Sequence, residues 1–431
     1  MKRIGEIKDP VHGYIHFTEV EKEVIDSPTF QRLRRIKQLA CADLTYPGAV
    51  HTRFVHCIGT MHVSGLIGNH LMEKNYVSID EVQKLRLAGL LHDVGHGPFS
   101  HVYEEILDRY TNLTHEDLGE KIIKETEIGD ILEKHGYSKH EISKLAVGRL
   151  DVEEKKFLNQ VIAGQFASDI MDYLLRDSYF AGVEYGRFDV YRLVESLDLV
   201  DNNLAADYSG AFGVLEAYII SRIEMFNVVY FHRTVRAANV MLARSMDFAH
   251  EELGLCPVKS LEEFLLLDDY KTMLALESLK NETKNNLVKA YKIYSHLKER
   301  KLFKSTYELI IHQRNDFFTN LINKVSIRKK IEAEIGEKAK VDPDYVVIDV
   351  PQLLSVPINP AERKRSEILV YKKTLEGKKT QRIREISPFL SSLSEFIDIV
   401  RVYTLPEYRE KVTEACEKIL SPKSFSERIS M

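Results

Sequence analysis

Leu90-Leu91-His92-Asp93-Val94-Gly95-His96-Gly97-Pro98-Phe99-Ser100-His101 ends an apolar helix in an adjacent His-Asp pair, then breaks it with two glycines and a proline. Three imidazoles and a carboxylate within ten residues are not core-filling chemistry. Imidazole nitrogen and carboxylate oxygen suit a divalent transition metal, and adjacent His and Asp side chains at one helix end can reach a single ion. A metal site in a helical protein collects ligands from several helices, so His and Asp on the faces of other helices are the candidates to complete it.

Upstream, from Thr52, the apolar spacing Phe54, Cys57, Ile58, Met61, Leu66, Ile67, Leu71 predicts a helix with Arg53 and His56 three apart on one face. Downstream, residues 160–181 predict a helix in which Asp169, Tyr173 and Asp177 form a polar stripe facing a cleft or a partner. Ser27-Pro28 reads as a capped helix start that carries Phe30, Leu33, Ile36 and Leu39 inward. Residues 4–17 look like a short hairpin or extended arm around Asp9-Pro10 and His12-Gly13. Further helices are expected over 80–94, 99–110, 116–135, 211–250 and 258–300.

After about residue 340 the texture changes to β-type runs, Tyr345–Val350, Glu367–Tyr371 and Ile399–Tyr403, closed by a helix from Pro406 to about Ile419. The expected fold is mainly α: a multi-helical body with a small C-terminal α+β lobe. The division expected is 1–250 for the catalytic body, 251–335 for a helical extension and 336–431 for the lobe.

The 431 residues, 44% of them hydrophobic, can bury a sizeable core. Sixty basic against 65 acidic side chains give a net charge of -5, which excludes a global polyanion-binding footprint. Nine Lys/Arg against three Glu between Pro360 and Arg384 form a local exception, either a solvated edge or a patch for effector phosphate or nucleic acid. Cys41, Cys57, Cys256 and Cys416 lie scattered without a CxxC pair, which argues for core thiols over disulfides or thiolate zinc. Met1–Glu6 has no apolar run of signal-peptide length and no window approaches the ~18 apolar residues of a membrane span, so a cytoplasmic protein without a membrane partner is expected.

The ordered set His56, then His92-Asp93, then Asp169, with HDxGHGPFSH intact around the pair, resembles the HD-domain phosphohydrolases. Within them, Asp9-Pro10-Val11-His12-Gly13, Phe30-Gln31-Arg32-Leu33-Arg34, Ile36-Lys37-Gln38-Leu39, Arg53-Phe54-Val55-His56 and Asp172-Tyr173-Leu174-Leu175-Arg176-Asp177 are similar to the deoxynucleoside triphosphate triphosphohydrolases that join a sterile-alpha-motif domain to an HD domain. The resemblance is dense from residue 7 to about 250 and thinner in the tail, at Arg382-Ile383-Arg384 and Ile399–Tyr403; the sterile-alpha-motif domain itself is not found.

That resemblance implies an HD-domain body that cleaves a dNTP at the α-phosphorus, releasing deoxynucleoside and triphosphate. One divalent ion, Mn, Fe, Mg, Zn or Ni, would be held by His56, His92, Asp93 and Asp169. A second ion at His96 and His115 stays open. His101 is implied as general acid, supported by Glu104, His115 and Glu116. Arg53, His96, Arg222 and Arg233 would surround the triphosphate, and Gln38, Tyr173, Asp177 and Tyr230 the deoxyribose. Asp26 and Arg34 match a guanine-nucleotide activator site in a homo-oligomer, dimer or tetramer; Asp189 and Arg192 match part of a second pocket whose expected basic positions are Tyr208 and Gly210. Where that family carries a lysine after the last metal-binding Asp, this chain has Ile170. The rival expectations are an HD phosphoesterase for nucleoside monophosphates or cyclic nucleotides, and a non-catalytic nucleotide or nucleic-acid binding protein.

Overall fold

The N-terminal alternation closes into a hairpin, β1 (Gly5–Asp9) pairing antiparallel with β2 (Gly13–Phe17) so that Ile7 faces Ile15. The computed structural model describes residues 2–311, 322, 324–351, 368–375, 377–386 and 398–420. Behind the hairpin lies a helical core built on three elements. The His56 helix, Arg53–Glu73, packs against Ile79–Leu91, which delivers His92 at its end, and against Ser168–Ala181. Cys57, Met61, Leu85, Leu90, Leu91, Met171 and Leu174 are fully buried where they meet. Each such aliphatic side chain contributes about 1.5–3 kcal/mol by leaving water.

Local chemistry sets where these helices start. Ser78 and Glu81 form a reciprocal capping box at the head of Ile79–Leu91, and Thr114 and Asp117 do the same for His115–Glu125, which fixes His115 at a helix start. The single helix expected over 160–181 is two, Phe157–Ala163 and Ser168–Ala181, interrupted from Gly164. Asp169 therefore sits in the first turn of a helix rather than in the middle of one. Residues 116–135 also split, because Thr126 ends one helix and caps Glu127–Lys134. The long segment expected over 211–250 becomes Tyr208–Met225, a π-helical turn Phe226–Tyr230, and Arg233–Ala249.

Two short strands in the body were not foreseen, β3 (Leu197–Val200) and β4 (Asn203–Asp207). The tail supplies β5 (Lys304–Ile311), β6 (Val346–Asp349), β7 (Leu369–Thr374), β8 (Gly377–Arg382) and β9 (Asp398–Thr404). The β7–β8 hairpin does not join the lobe's sheet. It extends the body's sheet in the order β3-β4-β7-β8, with β7 parallel to β4. The lobe's own sheet, β5-β9-β6, is antiparallel and takes β5 from before residue 336. Helices Val325–Ala339 and Arg409–Ile419 cover it, with Ile335, Val346, Val402, Val412 and Cys416 in a separate core.

Ion pairs fasten the lobe to the body: Arg236 to Asp349 at 2.6 and 3.0 Å, and Arg244 to Glu332 at 3.0 Å. Lys378 of the basic stretch is bound to Asp198 at 2.7 Å, which is the solvated-edge alternative for that residue; positions 360–367 of the stretch lie outside the described residues. All four cysteines are buried and free. No helix among the described residues is long and apolar enough to cross a membrane.

Candidate active site

His56 directs its Nδ1–H to Asp172 Oδ2 at 2.8 Å, and His92 directs its Nδ1–H to the Gly89 carbonyl at 2.8 Å. Both Nε2 atoms consequently turn to the same point, where Asp169 Oδ1 joins them. His56 Nε2 is 3.0 Å from that oxygen and 3.2 Å from His92 Nε2, which is itself 3.6 Å from the oxygen. Donors bonded to one ion at about 2.0–2.2 Å stand roughly 3.0–3.5 Å from each other, so the set fits a divalent metal. Asp93 stands beside the group, Oδ2 lying 3.5 Å from His56 Nε2 and Oδ1 3.4 Å from His92 Nε2, and it also gathers with His96 and His115 into a second cluster of candidate donors.

The electrostatics fit the same group. Burial alone would lower the His56 pKa, but hydrogen bonds to Asp169 and Asp172 outweigh it and push His56 up to about 10. Burial would raise Asp93, yet Arg53, His92 and His96 hold its carboxyl well below the usual range. Such a field favours positive charge at the convergence point.

Asp93 also faces a second cluster. Its Oδ1 is 3.3 Å from His96 Nε2, and the His96 ring stacks on His115 with centroids 3.9 Å apart. Glu104 joins His115 Nδ1 to His101 Nδ1, the latter at 2.9 Å. Burial, Arg53 and His115 keep His96 well below its ordinary pKa, hence neutral. His115 moves the other way, because its contact with Glu104 outweighs burial. The His101 side chain is 53% exposed, so it stands at the mouth of the site.

The loop between the clusters is strained and tied down. Phe99 and Ser100 take φ of 57° and 58°, which costs about 1–3 kcal/mol each for residues other than glycine. Ser100 Oγ donates to the Lys37 carbonyl and accepts from Arg53 Nε, both at 2.7 Å. Asp269 accepts from the Phe99 amide at 2.6 Å and the Lys37 amide at 2.9 Å.

Burial pushes Asp269 up to about 7 despite those amides. Between about pH 4 and pH 7 the folded state keeps a proton that the unfolded chain has lost, so stability declines as pH rises through this window and stays lower above it. Thermal unfolding followed from pH 5 to 8 should show that decline, and Asp269→Asn should flatten it.

Around Asp177, Tyr230 donates to its Oδ2 at 2.6 Å and His51 Nε2 bonds its Oδ1 at 2.7 Å, while the Gln38 backbone N–H donates to the His51 carbonyl at 3.0 Å. Tyr173 meets Tyr230 edge-on at 6.3 Å. Arg222 bonds Gln165 at 2.9 Å, just before the Asp169 helix. Among the described residues, buried polar atoms without a hydrogen-bond partner include Gln38 Oε1, Arg53 Nη2, His96 Nδ1 and His51 Nδ1. Leaving such atoms unpaired costs about 1–3 kcal/mol apiece, which a polar ligand would recover.

Other candidates are placed elsewhere. Glu116 pairs with Arg149 at 2.5 Å and not with His101. Arg233 grips Glu308 of β5 at 2.9 and 3.1 Å with 64% of its side chain exposed, and so faces the lobe. Ile170 is core, leaving no cation beside Asp169 at that position. Asp26 pairs with Lys22 at 2.7 Å, and Arg34 bonds Gln31 and lies 3.5 Å over the Phe54 ring, so these two do not pair with each other. Asp189 caps Val190–Glu195, and Arg192 binds the Gly210 carbonyl. The sequence assigned no role to His51, Asp172, Arg176, Ser100 or His12, although all of them but His51 stand in stretches that carry the resemblance.

Residues 53–176 match the HD domain, and residues 188–429 match the HD-associated region. An uncharacterised protein of Methanocaldococcus jannaschii is 30% identical over 97% of this chain and 92% of its own length. A deoxynucleoside triphosphate triphosphohydrolase SAMHD1 homolog of Dictyostelium discoideum is 29% identical over 71% of this chain; the match spans 60% of that relative. The crystal structure of a hypothetical protein from Aquifex aeolicus superposes with a TM-score of 0.75 at 33% identity, covering 95% of this chain and 99% of that one.

Proposed function

The chain belongs to the HD-domain phosphohydrolases with an HD-associated region, and on that premise we propose that it hydrolyses deoxynucleoside triphosphates at the α-phosphorus. Water would enter at phosphorus, the bond to the 5′ oxygen would break, and deoxynucleoside and inorganic triphosphate would leave. The observation that carries this reading is the position of Asp93, whose carboxylate faces the His56–His92–Asp169 donors on one side and His96 beside the Glu104-bridged imidazoles on the other.

His56, His92, Asp93 and Asp169 would hold a divalent ion, which when bound would neutralise charge at the α-phosphate and lower the pKa of water. Arg53 Nη2 is a buried donor for a phosphate oxygen. A triphosphate beside His96 Nδ1 would favour protonation of that ring, adding a second donor. With Nδ1–H held by Glu104, His101 in its imidazolium form would carry a second proton on Nε2 to give to the departing 5′ oxygen, leaving the neutral ring. Gln38 and Asp177 suit a 3′ hydroxyl, while the Tyr173–Tyr230 pair would crowd a 2′ hydroxyl and turn away ribonucleotides.

The test is turnover of the four dNTPs and GTP by metal-reconstituted protein, with and without GTP or dGTP as activator, products separated. Triphosphate from the dNTPs and none from GTP is expected. Phosphate or pyrophosphate alone would favour the monophosphate or cyclic-nucleotide esterase, the reading to which buried Ile170 points. Nucleotide binding without turnover would favour a binding protein. Unchanged rate and oligomer size on adding GTP or dGTP would remove an activator at Asp26 and Arg34.

A further inference from the structure

The tip of the N-terminal hairpin reaches the metal donors from behind. Asp9 Oδ1 accepts from the Val11 and His12 amides, both at 2.9 Å, and thereby shapes the turn before Gly13. Asp9 Oδ2 takes Arg176 Nη1 at 2.8 Å. The His12 side chain, 2% exposed, sends Nε2 to Asp172 Oδ1 at 2.7 Å.

Asp172 is the carboxylate that orients His56. Its Oδ2 accepts from His56 Nδ1 and Arg176 Nε, each at 2.8 Å, and its Oδ1 accepts from His12 and from Arg176 Nη2 at 2.9 Å. Burial would raise its pKa, but Arg176, His12 and His56 hold it well below the usual range. The space is cut to fit: a Cβ on Gly59, three residues beyond His56, would come within 1.9 Å of Asp172 Oδ1 and 2.3 Å of Arg176 Nη2. The carboxylate is thereby packed in place against the His56 ring it hydrogen-bonds.

We propose that His12 is a positioning residue for the metal centre, acting through Asp172 on the ring orientation and tautomer of His56. The proposal rests on the reading of His56, His92, Asp93 and Asp169 as metal ligands. His12 donates to the oxygen of Asp172 that His56 does not use, and with Arg176 it fixes the plane of the carboxylate. His12 does not reach the convergence point itself, since Asp172 and His56 lie between. An anchor for the hairpin alone would be cheaper as an apolar side chain, because a buried imidazole must be desolvated and satisfied. Imposing the orientation of a ligating imidazole is what such outer partners do, and their loss lowers metal affinity by about 10–100-fold.

The test uses the full chain stripped of metal and titrated with Mn²⁺, free ion followed by electron paramagnetic resonance, alongside thermal unfolding of the metal-free proteins. Expected is a Mn²⁺ dissociation constant about 10–100-fold weaker in His12→Ala. His12→Gln, whose amide nitrogen reproduces the Nε2 donor, should recover most of the affinity, and the metal-free proteins should unfold within a few degrees of one another. Equal Mn²⁺ affinity in wild type and His12→Ala overturns the proposal. So does equal weakening in both variants that tracks a common loss of metal-free stability, which would make His12 a fold anchor. No nucleotide is present, so failure of the dNTP reading leaves the test intact. A wild type that binds no divalent ion overturns this proposal and the metal reading together.

Discussion

Asp169→Ala should lose the divalent ion and slow phosphoester hydrolysis by about 10³-fold or more, at least ~4 kcal/mol of transition-state stabilisation. The carboxylate supplies the oxygen 3.0 Å from His56 Nε2, and at 32% exposure it is the open side of an otherwise buried donor set. The fold should survive. Asp169 lies in the first turn of Ser168–Ala181, where losing an acidic side chain costs a helix about 0.3–1 kcal/mol. Metal content, turnover and melting temperature measured together separate the two effects: the first two collapse while the third moves by a few degrees. Retained metal and turnover would remove Asp169 from the ligand set.

His101→Ala should lower dNTP hydrolysis by about 10²–10⁴-fold, the usual worth of a positioned general acid. The leaving 5′ alkoxide is a strong base and needs the proton, whereas nitrophenolate does not. The same variant should thus be far less impaired on a nitrophenyl phosphodiester. The His101 side chain is half exposed and its hydrogen bond among the described residues goes to Glu104 Oε2, so its removal leaves the core intact. Glu104→Gln should give a smaller loss: the charge between His101 and His115 is gone, but the amide still holds one ring. Equal losses on both substrates would make His101 a binding residue.

The convergence of His56, His92 and Asp169, with Asp93 beside them, agrees with the expectation from the chain, where metal chemistry restricts residue types, helical spacing restricts faces and the ordered set resembles a known family. What orients them could not be read there. Asp172 and Arg176 are an i,i+4 pair on one helix, but His12 meets them from a hairpin tip far away in the chain, and nothing local to it announces that pair. His51 is likewise defined only by its contact with Asp177 across the site.

Two placements failed for identifiable reasons. Glu116 follows His115 in sequence, but the next residue on a helix points about 100° away, here to Arg149. Arg233 matches a phosphate-binding position only through the family register along residues 221–236, whereas here the π-helical turn Phe226–Tyr230 and the new helix starting at Arg233 direct it to Glu308 of β5. In the tail the β-runs were legible from composition, but not the pairing of β7 with β4, because strand partners are a tertiary choice.

Hydrolysis of a dNTP in water labelled with heavy oxygen, with every product examined by mass, tests the central claim most directly. Attack at the α-phosphorus with loss of the 5′ oxygen places one labelled oxygen in inorganic triphosphate and none in the deoxynucleoside. Label in orthophosphate or pyrophosphate with no triphosphate formed, or label in the deoxynucleoside, would contradict it.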